Sequence, residues 1–243
     1  KEKLLPSLKK TLSDLGINLD EQTNIIIDAQ ERPGKVSRAF CFPIEVPNQI
    51  VMLISPVGGR ADYRVLYHEM GHAQHFGTTS KDLPFEFRHL GVMGTMETFS
   101  YLFEGLFYNP LFLQSLGLTE EESNNVTVFL EFANLYLLRR YCGKVLYETK
   151  FFDQNRKRLD DNFQPTGENY EDEAAMYVDI LTKATNVQYF PSTYLLDFDY
   201  GFYSVEYLKA WVAEASLRNY FESTFGKDWF SKKEAGNKLK ELW

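Results

Sequence analysis

The stretch Tyr67-His68-Glu69-Met70-Gly71-His72-Ala73-Gln74-His75 holds three of the four histidines in this chain of 243 residues. At its centre is the HExxH pattern, His68-Glu69-x-x-His72. Residues four apart on a helix lie on one face about one turn apart, so the two imidazoles can bind a single metal ion. Glu69 lies beside them, where it is a candidate general base. The stretch therefore predicts a helix that carries most of a metal centre.

A third ligand is expected from a later part of the chain. Glu97 lies inside the next predicted helix, whereas Asp82 and Glu86 lie in a proline-containing connection too close to the first helix to fold back. Two histidines from one helix and a glutamate from another form a zinc site with one open position. We predict that His68, His72 and Glu97 bind one Zn²⁺ per chain, although Mn²⁺ or Co²⁺ also suits these ligands.

The other two histidines do not fit this ligand set. His75 shares the helical face of His68, but two turns separate them by about 10 Å along the axis. A tetrahedral ion with bonds of about 2 Å cannot contact both. We therefore expect His75 to line a cleft, to contact a ligand residue without binding the ion, or to be structural, and we expect His89 to be structural.

Two nearby residues are candidates for supporting roles. Glu104 lies on roughly the same face as Glu97 and can accept the remaining N–H of a ligand histidine, although a solvated glutamate fits the pattern equally well. Gly71 costs about 1 kcal/mol relative to alanine inside a helix. A helix tolerates that cost where another segment must approach it closely, as over a metal site. Ordinary packing explains the glycine equally well.

A tyrosine-rich segment follows near the C-terminus, with Tyr200, Tyr203 and Tyr207 at helical spacing. A phenolic hydroxyl can donate a hydrogen bond to the oxyanion of a tetrahedral intermediate. We take Tyr203 as a candidate catalytic residue. Ordinary packing in a core or cleft is the competing explanation for each tyrosine.

Hydrophobic periodicity around these motifs predicts a mainly α-helical (α+β) fold with one small antiparallel sheet near the N-terminus. A helix is expected over residues 3–15, ended by Gly16. Runs rich in Ile, Val and Phe predict three strands, at Asn24–Ala29, Ala39–Ile44 and Gln49–Ile54. After Gly58-Gly59 the pattern becomes helical, and the predicted helices span 61–78, 91–108, 121–153, 168–186, 201–225 and 228–242.

Apolar residues in the longest of these helices recur every three or four positions, which predicts a stripe that faces the core. The stripe comprises Val126, Phe129, Phe132, Leu135, Leu138, Tyr141 and Val145. Neither an internal repeat nor a low-complexity linker is evident. Residues 1–243 are therefore predicted to form a single domain.

The composition excludes several classes of protein. The chain has 26 Lys and Arg against 34 Asp and Glu, a net charge of −8, so neither a nucleic acid nor an anionic membrane is an expected partner. No apolar run approaches the roughly 20 residues of a membrane span.

The cysteines and the N-terminus bear on the compartment. Cys41 and Cys142 allow at most one disulfide. The N-terminus lacks a signal core, so we expect a cytoplasmic protein by default.

Together the motifs resemble the thimet-oligopeptidase-like zinc metallopeptidases, which include oligopeptidases A and F. The resemblance spans about residues 32–211 and rests on Arg32-Pro-Gly-Lys35, Ala39-Phe-Cys41, the stretch 67–75, Glu97-x-x-Ser100-x-x-x-Glu104 and Gly201-Phe-Tyr-Ser204. It implies a zincin-like fold, zinc bound by His68, His72 and Glu97, and water activated by Glu69. It also implies peptide cleavage inside a deep, mostly helical cleft.

The chain departs from this family in two respects. The family usually has a histidine shortly before its C-terminal tyrosines, whereas no histidine follows His89 here. The family's pair of tyrosines aligns either with Tyr200 and Tyr203 or with Phe202 and Val205.

Family members are also longer than this chain, so we expect this chain to be the catalytic C-terminal portion. The missing N-terminal half would complete the cleft, and without it we expect zinc binding but poor peptide turnover.

The sequence thus predicts a zinc metalloendopeptidase that hydrolyses peptide bonds of oligopeptides. The alternative is a non-catalytic zinc-containing module that binds peptides. The absent C-terminal histidine favours the alternative, and Glu69 argues against it because a structural site needs no general base. An aminopeptidase fits less well, since Gly94-Thr-Met-Glu-Thr98, which resembles an exopeptidase anchoring motif, follows the HExxH pattern instead of preceding it.

Overall fold

The computed structural model describes residues 1–158, 160, 164, 166 and 172–243. The fold is mainly α-helical with one three-stranded sheet near the N-terminus, which confirms the predicted fold class. Within the described residues, no helix combines the length and apolar character needed to cross a membrane. The chain forms two compact units, Lys1–Leu130 with Ala210–Trp243, and Glu131–Lys209. Such units can belong to one domain or to two, so a single domain over 1–243 stays a prediction.

The first unit begins with helix α1 (Leu4–Asp14), as predicted. Leu4, Leu8 and Leu12 are buried because residues at this spacing share one helical face. After the helix, Gly16 has a φ of 73° and the N–H of Ile17 donates to the carbonyl of Leu12. This left-handed glycine ends the helix by satisfying its last carbonyl groups.

The sheet comprises β1 (Ile25–Asp28), β2 (Phe40–Glu45) and β3 (Gln49–Leu53), in the order β1-β3-β2. β2 and β3 form an antiparallel hairpin. β1 pairs with β3 in parallel, so the prediction of an antiparallel sheet is wrong and the sheet is mixed. The connection 29–39 is long enough to cross two strand spacings, about 10 Å, which lets β3 lie between β1 and β2.

Three helices follow the sheet: α2 (Arg60–Thr78), the short α3 (Phe85–His89) and α4 (Met93–Glu104). The predicted helix 61–78 is confirmed, and the predicted helix 91–108 divides into α4 and a 3₁₀ turn at Gly105–Tyr108. α2 packs against both α4 and the sheet. Its apolar face contributes fully buried side chains to the core, among them Leu66, Tyr67, Met70 and Ala73.

The rest of the first unit is helical. It contains α5 (Pro110–Ser115), the start of α6 (Glu120–Lys157), the later part of α8 (Tyr203–Phe225) and α9 (Lys233–Leu242). α6 and α8 lie where helices 121–153 and 201–225 were predicted. The predicted helix 228–242 begins instead with a 3₁₀ turn at Trp229–Ser231. α3 and α5 were not predicted because so few residues show no clear helical period.

The second unit contains most of α6, helix α7 (Glu173–Thr185) and the start of α8. Its small core comprises Tyr147, Met176, Tyr177 and Leu181. The Asp172 side chain caps α7 by accepting hydrogen bonds from two backbone N–H groups. Of the predicted helix 168–186, residues 168–171 lie outside the described residues. Across the whole chain, Cys41 and Cys142 are free thiols.

The predicted core stripe on α6 is wrong over much of its length. Phe129, Phe132, Leu135 and Leu138 are exposed, and Phe132 keeps 71% of its surface accessible. The same helix instead buries Gly143, Lys144, Tyr147 and Glu148. Apart from Tyr147, this buried face is small or charged, since Gly143 lies against Ala184 and Lys144 pairs with Asp199. Hydrophobic periodicity cannot detect such a face.

Candidate metal centre

The candidate site is built on the close crossing of α2 and α4. A Cβ on Gly71 would lie 2.5 Å from both the carbonyl oxygen of Phe99 and the Cα of Ser100. No real side chain fits at that distance, so the two backbones meet through the bare glycine. The crossing places Glu97, one turn before Ser100, against the HExxH face of α2.

Three predicted ligands converge at this crossing. Oε2 of Glu97 lies 3.5 Å from Nε2 of His68 and 3.5 Å from Nε2 of His72. All three ligand atoms lie within 4.8 Å of one another. In a tetrahedral zinc site with bonds of 2.0–2.1 Å, neighbouring ligand atoms are about 3.3–3.4 Å apart. The two distances from Glu97 are close to these values, so the cluster is compatible with a tetrahedral ion, and metal binding itself stays a prediction.

Glu104 fixes the orientation of one of these histidines. Its Oε2 lies 2.9 Å from Nδ1 of His68, and its other oxygen pairs with the guanidinium of Arg64. When Nδ1 carries the proton, its N–H donates a hydrogen bond to Glu104. The lone pair of Nε2 then lies on the opposite side of the ring. Of the two explanations that the sequence left open for Glu104, the structure supports contact with a ligand histidine.

The charges around the imidazoles favour a cation. Burial lowers the pKa of His68, but hydrogen bonds to Glu104 and Glu97 outweigh this effect and raise the pKa to about 10. Burial raises the pKa of Glu97, but His68 and His72 reverse this and hold the pKa well below its usual range. Buried carboxylates that stabilise a protonated histidine will also stabilise a divalent cation in the same place.

Glu69 is separate from the three ligands and is suited to another role. Its side chain is mostly buried, and burial raises its pKa, although His68 and His72 oppose the change. A cavity of about 390 Å³ borders it, lined by residues 37–39, residues 54–57 and the first turns of α2. A carboxyl group with a raised pKa and an open side is suited to accept a proton and release it again.

His75 packs away from the ligand atoms. Its ring lies 4.7 Å from that of Phe99 and 5.4 Å from that of Phe76, centroid to centroid. Its Nδ1 is buried and has no hydrogen-bond partner among the described residues. Burial lowers the pKa of His75 to about 4, with a further contribution from His72. Of the roles expected for His75, these contacts fit the structural one.

Tyr203 is the first residue of α8 and belongs to the second unit. Its ring packs 4.7 Å from that of Tyr207, which in turn lies 5.2 Å from the ring of Tyr141. Gly201 and Phe202, immediately before it, both have positive φ values, of 63° and 58°. The role of Tyr203 in oxyanion stabilisation stays a prediction.

Two residues near the site were missed by the sequence analysis. Arg64 pairs with Glu104, and the Tyr101 ring lies 5.4 Å from that of His68. Arg64 precedes His68 by four positions, so its place on the same helical face could have been predicted from spacing alone. The spacing of Tyr101 in the sequence did not indicate that its ring would lie beside His68.

Two comparisons with known proteins were made. A scan against protein-family models found no match, and a search of curated proteins also found none. The resemblance to thimet-oligopeptidase-like metallopeptidases therefore rests on the motifs alone and stays an interpretation of the sequence. The function must be argued from the chemistry of the site.

Proposed function

We propose that this chain is a zinc-dependent metallopeptidase that hydrolyses peptide bonds in oligopeptides. The observation that carries the proposal is the convergence of His68, His72 and Glu97 beside the buried Glu69. Zinc, when bound, would polarise the scissile carbonyl and lower the pKa of water.

The side chains of the site have distinct tasks in this reaction. Glu69 takes a proton from the attacking water and delivers it to the leaving amine, and its raised pKa suits both steps. Glu104 holds the His68 ring in place through Nδ1. The cavity beside Glu69 gives a peptide access to that carboxylate.

The alternative is a zinc-containing module that binds peptides without cleaving them. Structural zinc sites are usually closed by four protein ligands and are often rich in cysteine. Among the described residues, the only candidate cluster here has three ligands and no cysteine. This open set supports catalysis, because a fourth position remains for water or substrate.

Metal content is the first test. Purified protein, supplied with zinc and dialysed, should hold about one zinc per chain by inductively coupled plasma mass spectrometry. His72→Ala should hold almost none, because a tetrahedral site that loses one of three protein ligands is greatly weakened. His89→Ala is the matched control, since His89 is exposed and packs on Phe85 in α3. Absence of zinc from the unmodified protein would refute the proposal.

Turnover of a quenched fluorescent oligopeptide is the second test. Glu69→Gln should keep its zinc, and its hydrolysis rate should fall roughly 10²- to 10⁴-fold, which is the usual contribution of a general base. Glu86→Gln, an exposed glutamate on α3, should change neither. Undiminished turnover in Glu69→Gln would defeat the mechanism. Because slow turnover is expected of this chain alone, only stoichiometric zinc together with binding of the intact peptide and no cleavage on prolonged incubation would favour the binding module.

A further inference from the structure

The first unit contains a second cavity, of about 600 Å³, that the proposed reaction does not use. Its floor is apolar and is supplied by the 3₁₀ turn after α4, by α5 and its following loop, and by the start of α6. The floor residues are Phe107, Leu113, Leu116, Leu118, Val126 and Leu130. A cavity of this size and lining is typical of a small-molecule site.

The remainder of the lining is strongly basic. Lys3, Lys10, Arg60 and Arg64 line the cavity, and no carboxylate does so among the described residues. This is a marked asymmetry in a chain whose net charge is −8. Four cations beside an apolar floor create a local positive potential that attracts an anion.

Two of these cations are already paired. Lys10 pairs with Asp14, and Arg64 pairs with Glu104. In the part of the chain that the structure describes, Lys3 and Arg60 form no ion pair, and the Arg60 guanidinium lies 4.0 Å above the ring of Phe129. Lys3 and Arg60 are therefore the charges available to a ligand.

We propose that this cavity binds a single-chain amphipathic anion. The alkyl chain occupies the apolar floor, and a carboxylate or phosphate headgroup pairs with Lys3 and Arg60. The planar guanidinium of arginine suits both headgroups. A neutral lipid would leave the two cations without a partner, and a small hydrophilic anion would leave the floor empty. None of the lining residues is a candidate zinc ligand, so the inference does not depend on the proposed peptidase function.

The probes are laurate, dodecyl phosphate and dodecanol, studied by isothermal titration calorimetry below the critical micelle concentrations of the two anions and the solubility limit of dodecanol. Laurate or dodecyl phosphate should bind one molecule per chain, and the tighter of the two identifies the headgroup. Dodecanol should bind at least about tenfold more weakly, because it cannot use the charges. Decanoate should bind about fifteenfold more weakly than laurate, from roughly fourfold for each CH₂ removed.

Variants of the lining complete the test. Lys3→Gln combined with Arg60→Gln should weaken laurate binding about tenfold or more, and both residues are exposed, so folding should be intact. The control combines Lys9→Gln with Lys238→Gln, which changes the net charge by the same amount. These two lysines pair with Asp20 and Glu241, away from the cavity. The control variant should bind laurate as tightly as the unmodified protein does. Val126→Trp should block the floor and abolish binding.

Three results would overturn the proposal. These are equal affinity for dodecanol and laurate, failure of both anions to bind, and unchanged laurate affinity in the variant that lacks both cations. Circular dichroism of each variant establishes that it is folded before its affinity is compared.

Discussion

The Cα of Ser100 on α4 lies 2.5 Å from the point that a Cβ on Gly71 of α2 would occupy. The two backbones therefore approach too closely for any side chain at position 71, and Gly71 lies between the two HExxH histidines in sequence. Glu97 precedes Ser100 by three residues, so this crossing sets its distance from the imidazoles. Separation of the helices would move the carboxylate away from both Nε2 atoms.

Gly71→Ala should therefore impair both stability and metal affinity. The new methyl would meet backbone atoms of Phe99 and Ser100, which cannot rotate away as a side chain can. Overpacking of this kind costs about 1–3 kcal/mol of unfolding free energy. Thermal unfolding should measure that loss, and competition with a chromophoric chelator should show weaker zinc binding.

Gly77→Ala is the matched control on the same helix. A Cβ there would meet only side-chain atoms, the end of Ile25 at 2.9 Å and Nδ2 of Asn24 at 3.4 Å, which can shift as backbone atoms cannot. Its zinc affinity should be unchanged and its stability close to that of the unmodified protein. If Gly71→Ala binds zinc as tightly as Gly77→Ala does, the crossing does not set the ligand geometry.

Glu104→Gln should weaken zinc binding about 10- to 100-fold without removing a ligand, the usual effect of losing a hydrogen-bond partner of a metal-binding histidine. The amide keeps the size of the carboxylate but loses the charge that favours the Nδ1 proton of His68. Chelator competition measures the change. The control is Glu214→Gln, a buried glutamate that pairs with Arg218. Comparable zinc affinity in the two variants would mean that Glu104 does not act through His68.

His75 should make the protein less stable in mild acid. Burial holds its folded-state pKa at about 4, below the ordinary value of 6.5, so the folded protein resists a proton that the unfolded chain accepts. Its contribution to stability is therefore lost as the pH falls from about 6.5 towards 4, by up to about 3 kcal/mol. Urea unfolding at pH 7 and at pH 5 measures the loss.

His75→Phe keeps an aromatic ring between Phe76 and Phe99 but has no proton to bind. Its free energy of unfolding should fall less between pH 7 and pH 5 than that of the unmodified protein. All other titrating groups are the same in the two proteins, so their contributions to the pH dependence cancel in this comparison. His89→Phe, at an exposed position, should leave the pH dependence as it was. An unchanged pH dependence in His75→Phe would show that His75 titrates normally.

The parts of the fold that the sequence predicted were those with a strong local period. The HExxH spacing and its apolar neighbours predicted helix 61–78, and α2 spans Arg60–Thr78. Glu97 was chosen because it is the one acidic residue between positions 91 and 103, inside the next predicted helix, and the structure places its Oε2 3.5 Å from both histidine Nε2 atoms. Local pattern was enough at these positions because the chain between them is short.

The features that were missed depend on long-range pairing. Parallel pairing of β1 with β3 follows from the path of residues 29–39, which carry no repeating pattern. The buried face of α6 contains Gly143, Lys144 and Glu148, whose partners lie far away in sequence, so its apolar stripe was misleading. Gly71 was noted as unusual, but only the structure shows that Phe99 and Ser100 are what it accommodates.

Lys35 connects the sheet to the cavity beside Glu69. Its side chain is only 5% exposed, and its Nζ donates to the carbonyl oxygens of Asp28, Gln30 and Ile54 at 2.9, 3.0 and 2.7 Å. It thereby joins the end of β1 to the end of β3. Residues 37–39, which line the cavity, follow it directly.

Lys35→Met should destabilise the protein by about 1–3 kcal/mol, because it removes the ion pair with Asp28 and leaves the part-buried carbonyl groups of Asp28 and Ile54 without this donor. Since residues 37–39 would lose their anchor, peptide turnover should fall more than zinc content, which depends on α2 and α4. Lys9→Met, which breaks only the exposed pair with Asp20, should cost under about 1 kcal/mol and leave turnover unchanged. Urea unfolding, zinc analysis and the peptide assay on both variants separate these effects. Equal loss of zinc and turnover in Lys35→Met would show that the lysine supports the metal centre and not the cavity wall.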